Sequence, residues 1–366
     1  MSDQMVIESH TGPYSVHFDE AGLDRVNASV PDQAHFIIDS KVAELYRHRM
    51  GNILASPNVL LIEANEGAKS LERFPAYVEK LVSRKLRRDH HLVAIGGGVI
   101  QDIACFLAAT MLRGVDWQFF PTTLLAQADS CIGSKSSINC GDAKNIMGTF
   151  TPPRQITIST DFLSTLDEDC IRSGIGEMLK VHVIAGPQAF DTLAADYDQL
   201  FNDRPAMIAA IRRSLEIKKG YIETDEFDRG PRLVFNYGHS FGHAIEAATE
   251  FAIPHGIAVT IGMDMANWTA WKLNVGSEEN FRRMHPVLAR NSRPYIGTPV
   301  PLQPFMAALS KDKKNVGSGS ATLILPNRQA QVFKDAYAAD DQFASLMQQY
   351  FLEFLQSFRG SLAVSQ

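Results

Sequence analysis

The chain has 366 residues, 45% of them hydrophobic, 21% charged and 9% aromatic, a composition that fits a globular protein and excludes a disordered or fibrous one. Its formal net charge of -6, from 35 Lys and Arg against 41 Asp and Glu, argues against a nucleic-acid surface; any anionic ligand must be held by a local cluster of basic groups. No apolar run approaches the roughly 18 residues of a membrane helix, and the start, MSDQMVIESH, has no basic stretch ahead of an apolar core, so a soluble, cytoplasmic chain with no membrane partner is expected.

Over residues 1–160 short aliphatic runs alternate with longer amphipathic stretches. HFIIDS (35–40), NVLLIEA (58–64), HHLVAIGG (90–97), DWQFFPTT (116–123) and RQITIST (154–160) read as strands. Helix-like segments such as KVAELYRHRM, SLERFPAYVEKLVSRKL and VIQDIACFLAATML lie among them. That alternation predicts βαβ units on a mostly parallel sheet. Farther on, helical periodicity dominates, as in AMIAAIRRSLEIKKGYIETDEF and FGHAIEAATEF, with one late strand candidate, ATLILP (321–326). The shift predicts an α/β domain over 1–160 and a mainly helical domain over 161–366, with a cleft between them as the default ligand site.

Three strand ends carry polar chemistry. Gly96-Gly97-Gly98 follows a strand and opens a helix with Asp102 expected in its first turn. Glycines there let backbone amides approach a phosphate at a helix N-terminus, although the pattern is not G-x-G-x-x-G. Asp39 ends the first strand and is placed to accept a ribose hydroxyl or to cap the next helix, while Pro121-Thr122-Thr123 ends another. The three together favour a nucleotide.

In the second half, NYGHSFGHAIEAATEFAIPHG places His239 and His243 four residues apart on one helix face, with His255 presented by a Pro-His-Gly turn. Such a pair can bind one metal, or one member can bind metal while the other meets a substrate. Glu177, upstream in SGIGEMLK, would add a carboxylate, and one carboxylate with two imidazoles and open positions is a catalytic donor set for a divalent ion. Lys135, Lys144, Lys180 and Lys218 lie in short segments of small or polar residues, and Arg232 and Asn236 precede His239. Singly each lysine would be solvated; together they suit a phosphate or carboxylate. The four cysteines, Cys105, Cys131, Cys140 and Cys170, include no C-x-x-C pair and are expected to be reduced and partly buried.

The run IGGGVIQDIACFLAATMLRGVDWQFFPTTLLAQADSCIGSKSSINCGDAKNIMGTF, with SGIGEMLK and NYGHSFGHAIEAA, closely resembles the 3-dehydroquinate synthases and the wider sugar phosphate cyclase family, over roughly residues 35–330. The resemblance implies an NAD-binding, Rossmann-like parallel-sheet domain, a helical metal-binding domain and a homodimer. It implies that a seven-carbon sugar phosphate is oxidised at one ring hydroxyl by NAD, loses phosphate, is reduced again and closes to a carbocycle. By the same resemblance Glu177, His239 and His255 are the metal ligands, for zinc or cobalt. Asp39, Glu66, Lys69, Gly97, Gly98, Asp102, Thr122, Thr123 and Thr165 surround NAD. Asp129, Lys135, Lys144, Asn145, Lys180, Lys218, Arg232, Asn236 and His243 line the substrate pocket, with Lys313 or Lys314 closing it. His243 relays the hydroxyl proton, and Arg113 reaches the phosphate from the partner subunit.

The chain departs from the family pattern at several points. Gly-Gly-Lys is here Gly133-Ser134-Lys135, Asp-Leu-Ala-Gly is Asp102-Ile103-Ala104-Cys105, and His-Gly-Glu is His255-Gly256-Ile257; Asp167 stands for a proline and Cys170 for a glutamate. The missing glutamate leaves the ligands intact and alters what lies behind them. Lys218 and Arg232 match groups that face a substrate carboxylate, which favours 3-deoxy-arabino-heptulosonate 7-phosphate or an amino analogue. Sedoheptulose 7-phosphate, the substrate of a valiolone-type synthase, is the alternative; a metal-dependent alcohol or glycerol dehydrogenase, or a non-catalytic descendant, stands further off.

Overall fold

The computed structural model describes residues 4–141, 143–310 and 320–362. These form two compact units. The first comprises Met1–Asp167 and Ile211–Gly230, the second Glu168–Ala210 and Pro231–Gln366.

In the first unit a seven-stranded sheet is built from β1 (Gln4–Ile7), β2 (Tyr14–Phe18), β3 (Ala34–Asp39), β4 (Val59–Ile62), β5 (His91–Gly96), β6 (Asp116–Pro121) and β9 (Gln155–Ile158). A separate hairpin of β7 (Ile138–Cys140) and β8 (Ala143–Met147) precedes the last of these. The sheet order is β1-β2-β9-β6-β5-β3-β4, and every pairing is parallel except β1 with β2. Helices α1 (Gly22–Ala28), α2 (Ser40–Leu45), α3 (Gly51–Ala55), α4 (Phe74–Ser83) and α5 (Gly98–Thr110) connect the strands. Parallel strands with both faces covered read as continuous apolar runs, and Phe36, Ile38, Val93, Ile95 and Phe120 pack into one core with Leu23, Ile53 and Phe162. The strands expected from the sequence are all present. The β1–β2 hairpin and β7–β8 were not expected: β1 alternates exposed and buried residues over only four positions, and β8 is exposed throughout.

From β3 the chain steps to β4 on one side and then to β5 on the other. In an open parallel sheet that reversal leaves a crevice beyond the carboxyl ends of the two strands. Here those ends are Asp39 and the Gly96-Gly97-Gly98 turn.

The second unit is mainly helical: α6 (Glu168–Ala185), α7 (Pro187–Ala195), the start of α8 (Arg204–Thr224), α9 (His239–Ala248), α10 (His255–Lys272), α11 (Glu278–Ser292), α12 (Leu302–Ser310) and α13 (Asp341–Leu362). The division falls within α8, whose residues from Ile211 group with the first unit. One antiparallel hairpin, β10 (Ser320–Pro326) with β11 (Val332–Ala338), completes it. The segment ATLILP is the inner strand; β11, largely exposed, has too little apolar pattern to be read from sequence. Helix α10 is buried continuously from Gly256 to Ala270 and packs against α6, α9 and α11, as a helix apolar on all sides must. Among the described residues no helix is long and apolar enough to cross a membrane.

The crossing of α6 with α10 is unusually close. A Cβ on Gly176 would collide with the backbone carbonyl of Gly256, and one on Gly256 with that of Ser173. Each glycine adjoins a residue singled out from the sequence, Glu177 and His255 respectively.

Candidate active site

In the first unit, Gly97 is the N-cap of α5 and Gly98 its first residue. Gly97 lies against the β6 end, since a Cβ there would come 2.9 Å from Thr123 Cγ2 and Thr122 N donates to Gly96 O at 2.9 Å. A Cβ on Gly98 would meet nothing within 4 Å, so this side of the helix N-terminus is open to a ligand. Asp39 caps α2, accepting from Lys41 N at 2.9 Å, and burial raises its carboxyl above the usual range. Thr165 Oγ1 lies 3.0 Å from the Tyr46 hydroxyl.

Asp102 does not sit in the first turn of α5 as expected; it is the fifth residue and points away from the helix N-terminus role into a side-chain network. It accepts from Lys69 Nζ at 3.0 Å and from Ser137 N at 2.9 Å. Lys69 also meets Glu66 at 3.2 Å and Asn145 Oδ1 at 3.2 Å. Asn139, which the motifs did not flag, closes the ring by donating to Glu66 Oε1 at 3.0 Å and accepting from Asn145 N at 2.8 Å. Burial raises the Asp102 carboxyl while the Lys69 ammonium opposes it.

Asp129 lies in a π-helical turn, Ala126–Ser130, a distortion common at functional sites. Lys218, on the part of α8 that belongs to this unit, meets Asp129 Oδ1 and its backbone carbonyl, each at 2.6 Å. Lys135 pairs with Asp228, another residue the sequence did not single out. Asp228 has φ 57° and lies in a turn where the Asp225 carboxylate accepts from Arg229 N and Gly230 N; its Oδ1 is buried with no hydrogen-bond partner. Lys144 is exposed on β8, and Arg113 is exposed on a turn whose Leu112 and Arg113 both have left-handed backbone. The Cys105 and Cys131 thiols are pushed up to about 11 and about 12 by burial, so neither is a nucleophile near neutrality; all four cysteines are free.

In the second unit the structure brings together Glu177 from α6, His239 at the start of α9 and His255 at the start of α10. His255 Nε2 lies 3.4 Å and His239 Nε2 3.7 Å from Glu177 Oε1. Each ring is held from behind through Nδ1: His239 by the Tyr237 carbonyl at 3.2 Å, His255 by the Glu246 carboxylate at 3.2 and 3.3 Å. His243 joins them, the three imidazoles offering nitrogens within 4.8 Å of one another. Lys180, one turn on from Glu177, approaches its Oε2 at 2.5 Å and lies over the Phe235 ring. Burial opposes ionisation of Glu177, yet Lys180 and the two imidazoles hold its carboxyl well below the usual range. Burial keeps His239 neutral. On His255 burial is outweighed by the Glu177 and Glu246 carboxylates, which push its pKa up to about 10 in the absence of any other cation. Arg232 is buried in the turn before α9, and Asn236 donates to Leu233 O at 3.1 Å.

Lys313 and Lys314 lie outside the described residues. Glu246 was missed although a signal existed: it follows His239 by seven residues and His243 by three, on one helix face. Asp228 had none, because its placement depends on a left-handed backbone residue.

Residues 59–173 match the family model described as 3-dehydroquinate synthase N-terminal, and residues 174–315 the one described as 3-dehydroquinate synthase C-terminal. A 3-dehydroquinate synthase of Idiomarina loihiensis is 36% identical over 308 residues, covering 83% of this chain and 86% of that protein. Among solved structures, a 2-epi-5-epi-valiolone synthase from Streptomyces hygroscopicus subsp. jinggangensis 5008, with NAD+ and Zn2+ bound, superposes with a TM-score of 0.80 at 26% identity, over 93% of this chain and 97% of that one. A 2-deoxy-scyllo-inosose synthase complexed with carbaglucose-6-phosphate, NAD+ and Co2+ has the same fold, with a TM-score of 0.81 at 22% identity over 95% and 99% of the two chains. The parallel-sheet and helical architecture is thus that of the dehydroquinate synthases, and the chain belongs to the 3-dehydroquinate synthase family.

Proposed function

We propose that this protein is an NAD- and divalent-metal-dependent sugar phosphate cyclase, a phosphate-eliminating carbon-oxygen lyase that converts 3-deoxy-arabino-heptulosonate 7-phosphate to 3-dehydroquinate. The observation that carries the reading is the Glu177 carboxylate: both oxygens are buried without a hydrogen bond of good geometry, and two imidazole Nε2 atoms face it. Lys180 pairs with Oε2, so Oε1, buried and faced by the imidazoles, is the oxygen that a bound metal ion would complete. One carboxylate and two nitrogen donors, each ring oriented through its other nitrogen, suit zinc or cobalt. The open face at Gly98, at the sheet's reversal point, fits a dinucleotide phosphate.

NAD, held at the Gly97-Gly98 turn and Asp39, would supply a reversible hydride acceptor, and a divalent ion held by Glu177, His239 and His255 would supply Lewis acidity toward the hydroxyl being oxidised. The chain's own residues do the rest. His243, beside the two ligand imidazoles, relays the hydroxyl proton. Lys135, Lys144, Asn145 and Lys180 hold the phosphate and stabilise the charge it gains on leaving. Lys218 and Arg232 bind the carboxylate, and Asp129 and Asn236 line the substrate pocket. Fixing a flexible substrate through so many groups is chiefly a positioning effect. The reading includes a soluble, cytoplasmic homodimer in which Arg113 reaches the neighbouring subunit's phosphate.

The test is a product assay with heptulosonate, sedoheptulose and hexose phosphates, each with NAD and zinc or cobalt. Phosphate release from the heptulosonate phosphate alone is expected. Preference for sedoheptulose 7-phosphate would move the enzyme to the valiolone-type branch.

A further inference from the structure

We infer that Glu246 is a positioning residue for the metal site: its carboxylate fixes the His255 ring so that Nε2 faces Glu177 and His239. This rests on the ligand assignment proposed above and extends it. A neutral imidazole keeps a lone pair on only one nitrogen. When Nδ1–H is donated to the Glu246 carboxylate, 3.2 and 3.3 Å away, that lone pair is on Nε2, the atom 3.4 Å from Glu177 Oε1.

The two ligand rings are anchored unequally. His239 leans on the Tyr237 backbone carbonyl, which follows from its position two residues along the same chain segment. His255 is the first residue of α10 and its side chain is 38% exposed, so without an anchor its ring would turn in solvent and lose entropy on binding a cation. Ile257, two residues on and fully buried, offers no acceptor. Glu246 reaches His255 because the chain reverses tightly between α9 and α10. Glu250 and Phe251 have φ 52° and 63°, and Phe251 N donates to Glu246 O at 2.8 Å. One face of α9 therefore carries a ligand, His239, and two turns later the anchor of another.

The test is Co2+ titration of the full-length protein after metal removal by chelation, comparing the natural protein with Glu246→Ala, Glu246→Gln and His255→Ala. Glu246→Ala should weaken Co2+ binding by about 10- to 100-fold and change the visible absorption of the bound ion, as loss of a ligand's supporting group does. Glu246→Gln, whose amide oxygen still accepts from Nδ1–H, should stay within a few-fold of the natural protein, and this rescue holds even if the alanine variant folds poorly. Unchanged affinity and spectrum in both Glu246 variants, with binding lost in His255→Ala, would overturn this inference alone. Unchanged binding in His255→Ala would overturn the ligand assignment with it.

Discussion

At the N-terminus of α5, a Cβ on Gly98 would face open space, whereas Cβ atoms on Gly176 and Gly256 would strike the backbone of another helix. In the first unit glycine leaves open space at a helix N-terminus, where we propose a ligand's phosphate sits; in the second it lets two helices touch, so that Glu177 and His255, each adjoining one of those glycines, come within 3.4 Å. The polar groups differ in the same sense. Around Asp102 nearly every acceptor already has a donor from Lys69, Ser137 or Asn139, a surface complete before its ligand arrives. Around Glu177 the carboxylate is buried and only its Oε2 is paired, with Lys180, while Oε1 faces two imidazoles, an arrangement that the proposed metal ion would complete.

That contrast predicts which substitutions act on chemistry and which on folding. The largest effect belongs to the second unit's donors: Glu177→Ala should lower turnover roughly a thousandfold or more, the several kcal/mol that Lewis-acid stabilisation supplies, as read by phosphate release under saturating substrate. Gly256→Ala comes next. Its methyl meets the Ser173 carbonyl, so a loss toward the upper end of about 1–3 kcal/mol is expected in denaturant unfolding. A variant as stable as the natural protein would show that the α6–α10 contact is not what sets the site.

Gly98→Ala should behave in the opposite way. Its methyl meets no protein atom and alanine favours a helix, so stability should hold or rise slightly while NAD affinity, measured by fluorescence titration, falls about tenfold, or ~1.4 kcal/mol. Intact NAD binding would sink the phosphate reading of this turn. The smallest effect is a titration confined to the first unit. His35 on β3 is fully buried, its Nε2 3.0 Å from His90 Nδ1. Burial first, and then the neighbouring His90, lower its pKa to about 4. Between its ordinary value near 6.5 and about 4 the unfolded chain binds the extra proton. Stability from this group is therefore complete above about pH 6.5 and declines as pH falls toward 4. Replacing His35 with Leu should shrink the stability lost between pH 7 and pH 5; an unchanged loss would assign it elsewhere.

The central strands were legible because they are buried on both faces and read as nearly continuous apolar runs, as in AHFIID and HLVAIG. Strands with no buried residue, such as VFKDAYA, left no such mark. The helical donors were legible from spacing where they share a helix, as His239 and His243 do. Glu177 was read as an added carboxylate from its segment, SGIGEMLK, and the motif resemblance then gave it as a ligand; spacing alone could not, since 62 residues separate it from His239 and the glycine-mediated crossing of α6 on α10 is what brings its helix to theirs. Asp228 stayed hidden because its partner, Lys135, is 93 residues away and its own backbone is left-handed. Asp102 was placed one turn too early, since a glycine run marks a helix start without fixing which residue is first.

The central claim, that redox chemistry here serves a cyclisation and not an oxidation, is tested most directly by stoichiometry. With NAD limiting and a heptulosonate phosphate in excess, many phosphates should be released per NAD while absorbance at the NADH band stays flat. One NADH accumulating per substrate consumed, with simple alcohols or with the sugar phosphate, would contradict it and make the protein a dehydrogenase.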